Sequence, residues 1–353
     1  MRFPLGLALA VGRYMASQAL RRRDRFPTTL MLEPLYTCNL ACVGCSTERH
    51  TGKLSDRLTV AQCLEAVDQS KVPTLSLCGG EPTLYPELPE LLQGLIERGK
   101  YIFLCTNTLA MEKRVFDVVP PDKHLIVNVH LDGLRETHDF VCNRAGVFDH
   151  AMRMIAECKA RGYQTMTNTT VFQETSLEEV RELCELLMDH DVDGMLISPG
   201  YQYETVQRDI FLKREDIHAK FGEILKFSKQ YPIIATPTFL RFAAGQRELN
   251  CSPYSTVTRT PLGWKAPCYL IDEKYYSTWD EFWTSVDWAY WESRQDARCQ
   301  NCYMHSGFEA SAVRAATSNP KEALELLAWQ MTRPRRRTPR NTSGPSPVTT
   351  TPN

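Results

Sequence analysis

From residue 28 to about residue 210, short apolar runs alternate with longer stretches whose apolar positions recur every three to four residues. The short runs at 29–37, 74–77, 101–106, 125–131, 164–172 and 194–198 read as buried strands. The stretches at 59–69, 87–98, 148–161 and 177–190 read as amphipathic helices, with a short turn near Met111. Thr59 and Ser176 stand at N-cap positions, and Gly162 and Gly194 follow helix ends. Strictly alternating β and α units predict an α/β fold with a parallel sheet. Six such units are too few for a closed eight-fold barrel, so the expected architecture is a partial (β/α)6 TIM-like barrel.

The pattern differs on both sides of this core. Residues 5–20 read as an amphipathic helix, followed by Arg21-Arg22-Arg23-Asp24-Arg25. The apolar part is too short to span a bilayer, and a basic run after it is the wrong order for a secretory signal. Such a helix suits contact with an anionic membrane surface, or equally packs on the rest of the protein. After Phe211 the alternation stops, and the segment becomes rich in aromatics and in proline (Pro232, Pro237, Pro253, Pro261, Pro267). Beyond Met331 the run Arg333-Pro334-Arg335-Arg336-Arg337 leads into Ser/Thr/Pro-rich sequence that should be disordered. The expected organisation is therefore 1–27 as an N-terminal helix with a basic end, 28–210 as the barrel, 211–331 as a substrate or cap region and 332–353 as a tail.

In a βα barrel the reactive groups gather at the C-terminal ends of the strands. Those ends read Cys38-x3-Cys42-x2-Cys45, Gly79-Gly80-Glu81-Pro82, Cys105-Thr106-Asn107, His130-Leu131-Asp132-Gly133, Asn168-Thr169 and Ser198-Pro199-Gly200. Three clustered thiols would hold a cubane cluster with one iron left open, because such clusters normally take four cysteines. Alternatively they form a structural zinc knuckle or simply sit close together. Glycines at 79 and 80 let the backbone approach a ligand closely, and Glu81 accepts hydrogen bonds from an ammonium group.

Composition narrows the class. Hydrophobic residues at 43% and charged residues at 24% describe an ordinary globular chain, and a formal net charge of -1 lacks the basic excess of a nucleic-acid binder. Thirteen cysteines in 353 residues are too sparse for a disulfide scaffold, but clustered cysteines are usual in metal sites. An oxygen-sensitive cluster needs a reducing compartment, which points to the cytoplasm or the inner membrane face. A second group, Cys251, Cys268 and the C-x2-C pair Cys299 and Cys302, is either a second metal site or a set of core thiols. Cys63, Cys78, Cys142, Cys158 and Cys184 are scattered and read as packing residues.

The three-cysteine loop followed one βα unit later by Gly79-Gly80-Glu81-Pro82 resembles the radical S-adenosylmethionine (radical SAM) superfamily. The resemblance implies a [4Fe–4S] cluster on Cys38, Cys42 and Cys45, whose open iron binds S-adenosylmethionine (SAM) and whose electron cleaves it to a 5′-deoxyadenosyl radical. It also implies SAM contacts from Gly79, Gly80, Glu81, Thr106, Asn107, His130 and Asp132. Arg144 would pair with the SAM carboxylate, or else is a solvated arginine. Asn168 would bind a ribose hydroxyl, or else is structural.

Leu32-Glu33-Pro34-Leu35, Leu104-Cys105-Thr106-Asn107, Val129-His130-Leu131-Asp132-Gly133, Ser198-Pro199-Gly200-Tyr201, Leu262-Gly263-Trp264, Pro267-Cys268-Tyr269-Leu270 and Gly307-x-Glu309-Ala310 narrow this further. They resemble the adenosylhopane synthase family over roughly residues 27–313. What that resemblance implies is addition of the adenosyl radical to the alkene of a hopene lipid, hydrogen-atom donation from Cys105, and a flavodoxin or ferredoxin as electron donor. Two stretches depart from the family: Ser46-Thr47-Glu48-Arg49-His50 follows the third cysteine, and Ser306 stands where a further cysteine is expected. Both bear on the acceptor rather than on SAM chemistry. The alternatives are a C–C bond-forming radical SAM enzyme with another acceptor, such as a nucleoside or sugar, and a non-catalytic zinc-binding interaction protein.

Overall fold

The computed structural model describes residues 1–45 and 52–334. The departure at 46–50 and the tail from 335 onward lie outside the described residues. In chain order the principal elements are α1 (Leu5–Leu20), β1 (Thr29–Leu32), α2 (Val60–Ser70), β2 (Thr74–Leu77), α3 (Leu88–Glu97), β3 (Tyr101–Thr106), β4 (Leu125–His130), α4 (Arg135–Val141), α5 (Val147–Arg161), β5 (Gln164–Val171), α6 (Leu177–Asp189) and β6 (Gly194–Pro199). The later part adds α7 (Arg214–Phe227), α8 (Pro237–Ala243), β7 (Thr256–Thr260), β8 (Gly263–Pro267), β9 (Asp272–Tyr276), α9 (Trp279–Ser285), α10 (Trp288–Glu292), α11 (His305–Thr317) and α12 (Pro320–Met331).

Strands β1 to β6 pair in parallel in sequence order, as expected of consecutive βα units. The helices form because each carries an apolar stripe at helical spacing: Cys63, Ala66 and Val67 on α2, Leu88, Leu91, Leu92 and Leu95 on α3, Val180, Leu183, Cys184 and Leu187 on α6. Cys63, Cys158 and Cys184 belong to these buried stripes and are packing residues. Thr59 caps α2 in a reciprocal box with Gln62, and Ser176 caps α6 through Glu179 N. Gly162 closes α5 in the left-handed region (φ +85°), whereas Gly194 is the first residue of β6, five residues past the end of its helix.

Three differences from the sequence reading matter. The first strand stops at Leu32 rather than continuing to residue 37, since Pro34 has no N–H to give the ladder. The chain nevertheless stays alongside the next segment, and Leu35 O and Thr37 O accept from Gly80 N and Glu81 N at 2.9 Å each. Short α4 lies between β4 and α5, where no periodic stripe marked a helix. The third difference is that the region after 211 is built into the sheet: β7 pairs parallel to β1, and β8 and β9 follow antiparallel. One nine-stranded sheet therefore runs through both halves, in the order 6-5-4-3-2-1-7-8-9.

The N-terminal helix is packed down on one side. Leu7 is buried against Tyr101, Ile126, Met166 and Ile234, at the strand ends opposite the cysteine loop. Arg2 anchors the segment, donating through Nη1 to Tyr231 O (2.9 Å) and Ile233 O (2.7 Å). No helix among the described residues is long and apolar enough to cross a membrane.

Candidate active site

The strand order carries the six strand-end sequences to one side of the sheet, and a cavity of about 490 Å³ opens between them. Cys38, Cys42 and Cys45 line one end of it, Cys105, Asn128 and Asn168 its middle, and Phe3, Leu196 and Ile234 the opposite end beneath α1.

The cysteine loop is held from several sides. Val43 N donates to Val141 O (2.9 Å) at the end of α4, Leu40 N points at Cys38 Sγ (3.4 Å), and Asn107 Nδ2 donates to Asn39 Oδ1 (2.7 Å). Burial pushes the Cys38 thiol up to about 12. The Cys42 thiol is raised as well, first by its hydrogen bond with Cys142 and then by burial. Three thiols in one cavity-facing loop fit the donor set of an iron–sulfur cluster with an open position, where a metal charge would favour the thiolate form. No three of these sulfurs lie within 4.8 Å of one another among the described residues, a spacing wider than a single tetrahedral zinc would need.

Gly79 and Gly80 line the cavity and are also packed closely against the chain. A Cβ on Gly80 would meet Thr37 O at 2.1 Å, and Gly79 holds φ +102° with its Cβ position 2.5 Å from Leu35 O. What these glycines approach is the backbone leading into the cysteine loop, and the close fit sets that loop against the end of β2.

Glu81 departs from expectation. It is 1% exposed, and both its oxygens are engaged by the protein: Oε1 accepts from Thr83 N (3.0 Å), Thr83 Oγ1 (2.6 Å) and Thr106 Oγ1 (2.7 Å), Oε2 from Asn107 N (2.8 Å). Burial raises its pKa against the opposing pull of those donors. Its carboxylate ties the ends of β2 and β3 together, so Glu81 is a positioning residue, and Thr106 and Asn107 are the groups it positions.

His130 and Asp132 form a close pair, Nε2 to Oδ2 at 2.5 Å, with Asp132 Oδ1 accepting from Thr170 N (2.6 Å). Burial opposes a charge on His130, but the Asp132 carboxylate outweighs it, with Cys42 and Cys45 adding to the effect, and lifts the pKa to about 10. Neighbouring His138 goes the other way, to about 4, through burial and the charge on His130. The site thus keeps one cationic ring and one neutral ring close to the cysteine loop.

Asn168 lines the cavity with a buried Oδ1 that has no partner, a vacancy suited to a ligand hydroxyl or amine. Cys105 lies on the cavity wall, where Asn128 Nδ2 donates to its sulfur (3.5 Å). Arg144 does not join the site. It is exposed in the turn between α4 and α5, where its backbone N donates to Asp139 O (3.0 Å), so the carboxylate pairing is replaced by the solvated arginine.

Several cavity residues had no clear sequence signal. Cys78, read as packing, lines the cavity from β2. Glu309 and His305 face it from α11, one turn apart. Glu309 accepts from Thr236 N (3.0 Å) and Thr236 Oγ1 (2.8 Å), and burial lifts its pKa to about 7. His305 has a buried Nδ1 without a partner, and burial pushes its pKa down to about 4. Only Gly307-x-Glu309-Ala310 and the departure at Ser306 marked this stretch, and neither located it beside the barrel.

All four late cysteines converge on a separate small cavity, although their pairing was not legible in the spacing. All thirteen cysteines are outside disulfides.

Comparison with known proteins agrees with this geometry. Residues 32–187 match the radical SAM superfamily model, and residues 195–326 match a domain of unknown function, DUF3463. The chain is 25% identical over 183 residues to the Fe-coproporphyrin III synthase of Methanosarcina barkeri, covering 50% of this chain and 46% of that protein. It is 30% identical over 166 residues to the pre-heme d1 synthase of Dinoroseobacter shibae, covering 46% and 40%. A longer match, 25% over 272 residues, joins it to the subtilosin biosynthesis protein AlbA of Bacillus subtilis, covering 71% and 57%. The chain thus spans less than half the length of the first two relatives. Among solved structures, Streptococcus suis SuiB bound to its precursor peptide SuiA shares the fold with a TM-score of 0.63 at 16% identity, over 87% of this chain and 76% of that one. SuiB bound to S-adenosylmethionine gives 0.61 at 15% identity, over 82% and 75%. With the cysteine loop, the Gly-Gly strand end and the parallel strands together on one cavity, residues 32–187 of this chain form a domain of the radical SAM type.

Proposed function

We propose that the protein is a radical SAM enzyme that adds the 5′-deoxyadenosyl group to the alkene of a hopene-type lipid. The observation that carries this reading is the single continuous cavity. It begins at Cys38, Cys42 and Cys45, passes Cys105, and ends among Phe3, Leu196 and Ile234 beneath α1. The apolar side chains of Phe3, Leu196 and Ile234 suit a hydrocarbon acceptor, since burying apolar surface contributes roughly 25 cal/mol per Å².

A [4Fe–4S] cluster held by Cys38, Cys42 and Cys45 would supply the electron that cleaves SAM. The chain's own residues do the rest. Glu81 keeps Thr106 and Asn107 in place, and Asn168 offers its unpartnered Oδ1 to the polar part of the ligand. Addition of C5′ to the alkene forms one C–C bond and leaves a carbon radical on the acceptor. Cys105, on the cavity wall between the two ends, gives that carbon its hydrogen atom. The sulfur radical left on Cys105 then takes one electron from a flavodoxin- or ferredoxin-type donor and one proton from solvent.

A second reading, a more polar acceptor of the kind modified in cofactor or peptide maturation, is favoured by His305 Nδ1 and Glu309 on the cavity wall. One experiment separates the two. Reconstituted protein is incubated anaerobically with SAM, a strong reductant and diploptene, and the lipid extract is examined by mass spectrometry. A lipid that has gained the adenosyl group supports the first reading. Free 5′-deoxyadenosine with unchanged diploptene sinks it and leaves the second.

A further inference from the structure

Four cysteines from separate segments meet on one wall of the C-terminal half. Cys251 precedes β7, Cys268 directly follows β8, Cys299 ends a short 3-10 turn, and Cys302 lies just before α11. Pairing of β7 beside β1 and the return of α11 bring them together, with Ser252 N donating to Gly307 O (2.9 Å) and Thr256 Oγ1 to Ser306 O (2.8 Å). All four line one cavity of about 40 Å³.

We propose that Cys251, Cys268, Cys299 and Cys302 hold a second iron–sulfur cluster, fully ligated by the protein and distinct from the one on the Cys38 loop.

Packing alone does not account for the arrangement. Cys63, Cys158 and Cys184 show how this chain uses cysteine as a core residue: one per helix, within an apolar stripe. The four late thiols instead line one shared space. Backbone N–H groups are already aimed at the sulfurs, from Leu270 and Ile271 to Cys268 and from Met304 to Cys302. Amide donors to cysteine sulfur are a standard means of stabilising and tuning a cluster. A cation is also in place: Arg294 Nη2 donates to Cys299 O and to Cys302 O, both at 3.0 Å, and so sets the C-x2-C loop while offsetting thiolate charge.

Spacing distinguishes the kind of metal centre. A tetrahedral zinc with Zn–S bonds of about 2.3 Å draws its sulfurs to about 3.8 Å from one another. No three of these four sulfurs lie within 4.8 Å of one another among the described residues, a wider spacing than a single zinc takes. Four protein ligands leave no open iron, so this centre would not bind SAM. Ser306 is no obstacle, because four cysteines already complete the set. Tyr201, Tyr269, Thr256 and Ser306 line both cavities, which places the second centre against the wall of the first.

The test is iron and sulfide content with electron paramagnetic resonance of the full chain after anaerobic reconstitution. Wild-type protein should carry about eight irons, four per cubane. The triple variant Cys38→Ala, Cys42→Ala, Cys45→Ala should keep about four, with a reduced signal that SAM leaves unchanged. The double variant Cys299→Ser, Cys302→Ser should also keep about four, with a signal that SAM shifts. About four irons in the wild type, or a folded triple variant with no iron or with one zinc, would overturn the proposal. If the double variant does not fold, the wild-type and triple-variant counts still decide the matter. None of these readouts depends on the acceptor, so they stand or fall apart from the hopene assignment.

Discussion

At the scale of single residues, two side chains in the cavity invite direct tests. Cys105 sits on the wall, its sulfur in contact with Phe103 O at 3.7 Å and with Asn128 Nδ2 at 3.5 Å. Cys105→Ala is expected to cleave SAM at a comparable rate while most of the saturated adduct is lost to rearranged or unquenched products. Normal product yield by mass spectrometry would remove Cys105 from the reaction. Glu309 has its pKa raised from 4.5 to about 7, chiefly by burial. The folded state then holds a proton that the unfolded chain releases, so this residue's contribution is fully present below about pH 4.5 and is lost as pH rises through about 7. Glu309→Gln keeps both contacts with Thr236 and removes the titration. Melting temperatures measured against pH should therefore fall less steeply for the variant than for the wild type over that window, and parallel curves would refute the assignment. His305, with its pKa lowered to about 4, acts in the opposite sense below its usual 6.5, and comparing the two proteins cancels that part.

Among the elements, α1 divides its roles by face. Leu7 is buried against Tyr101, Ile126, Met166 and Ile234, while Leu5 and Leu9 are each 56% exposed. Arg13, Arg21, Arg22 and Arg23 are exposed on the same segment, the complement of an anionic lipid surface. Leu7→Ala should destabilise the fold by about 2–5 kcal/mol, as large-to-small core changes do. A Leu5→Ser, Leu9→Ser variant should unfold within about 0.5 kcal/mol of the wild type and yet bind anionic vesicles more weakly in co-sedimentation. Equal vesicle binding by the wild type and this variant would leave α1 as a packing helix only. The helix itself was legible in the sequence to within its ends, because its pattern is local. Which face would be covered was not, because the covering residues come from β3, β4 and β5 and from the chain at Ile234.

Over the whole molecule, the proposed reaction needs SAM at the cysteine loop and the acceptor toward α1. Leu196→Trp, which fills the far half of the cavity, is expected to leave SAM cleavage intact and abolish the adduct, and an unaffected product yield would refute that division. The sequence by itself determined the parallel βα order, the strand ends that carry chemistry, the cysteine loop and the helix caps. Each of these depends on period, capping or motif, all written over a few consecutive residues. It could not determine that Glu81 spends both oxygens on Thr83, Thr106 and Asn107, or that Gly80 lies close against Thr37 O. Nor could it show that Arg144 turns outward while Cys78, His305 and Glu309 turn inward. Only the tertiary structure decided these points, and with them the placing of β7 beside β1 and the convergence of Cys251, Cys268, Cys299 and Cys302. The reason is physical: such contacts join segments tens to hundreds of residues apart, and no local pattern records which surfaces meet when the sheet closes over its core.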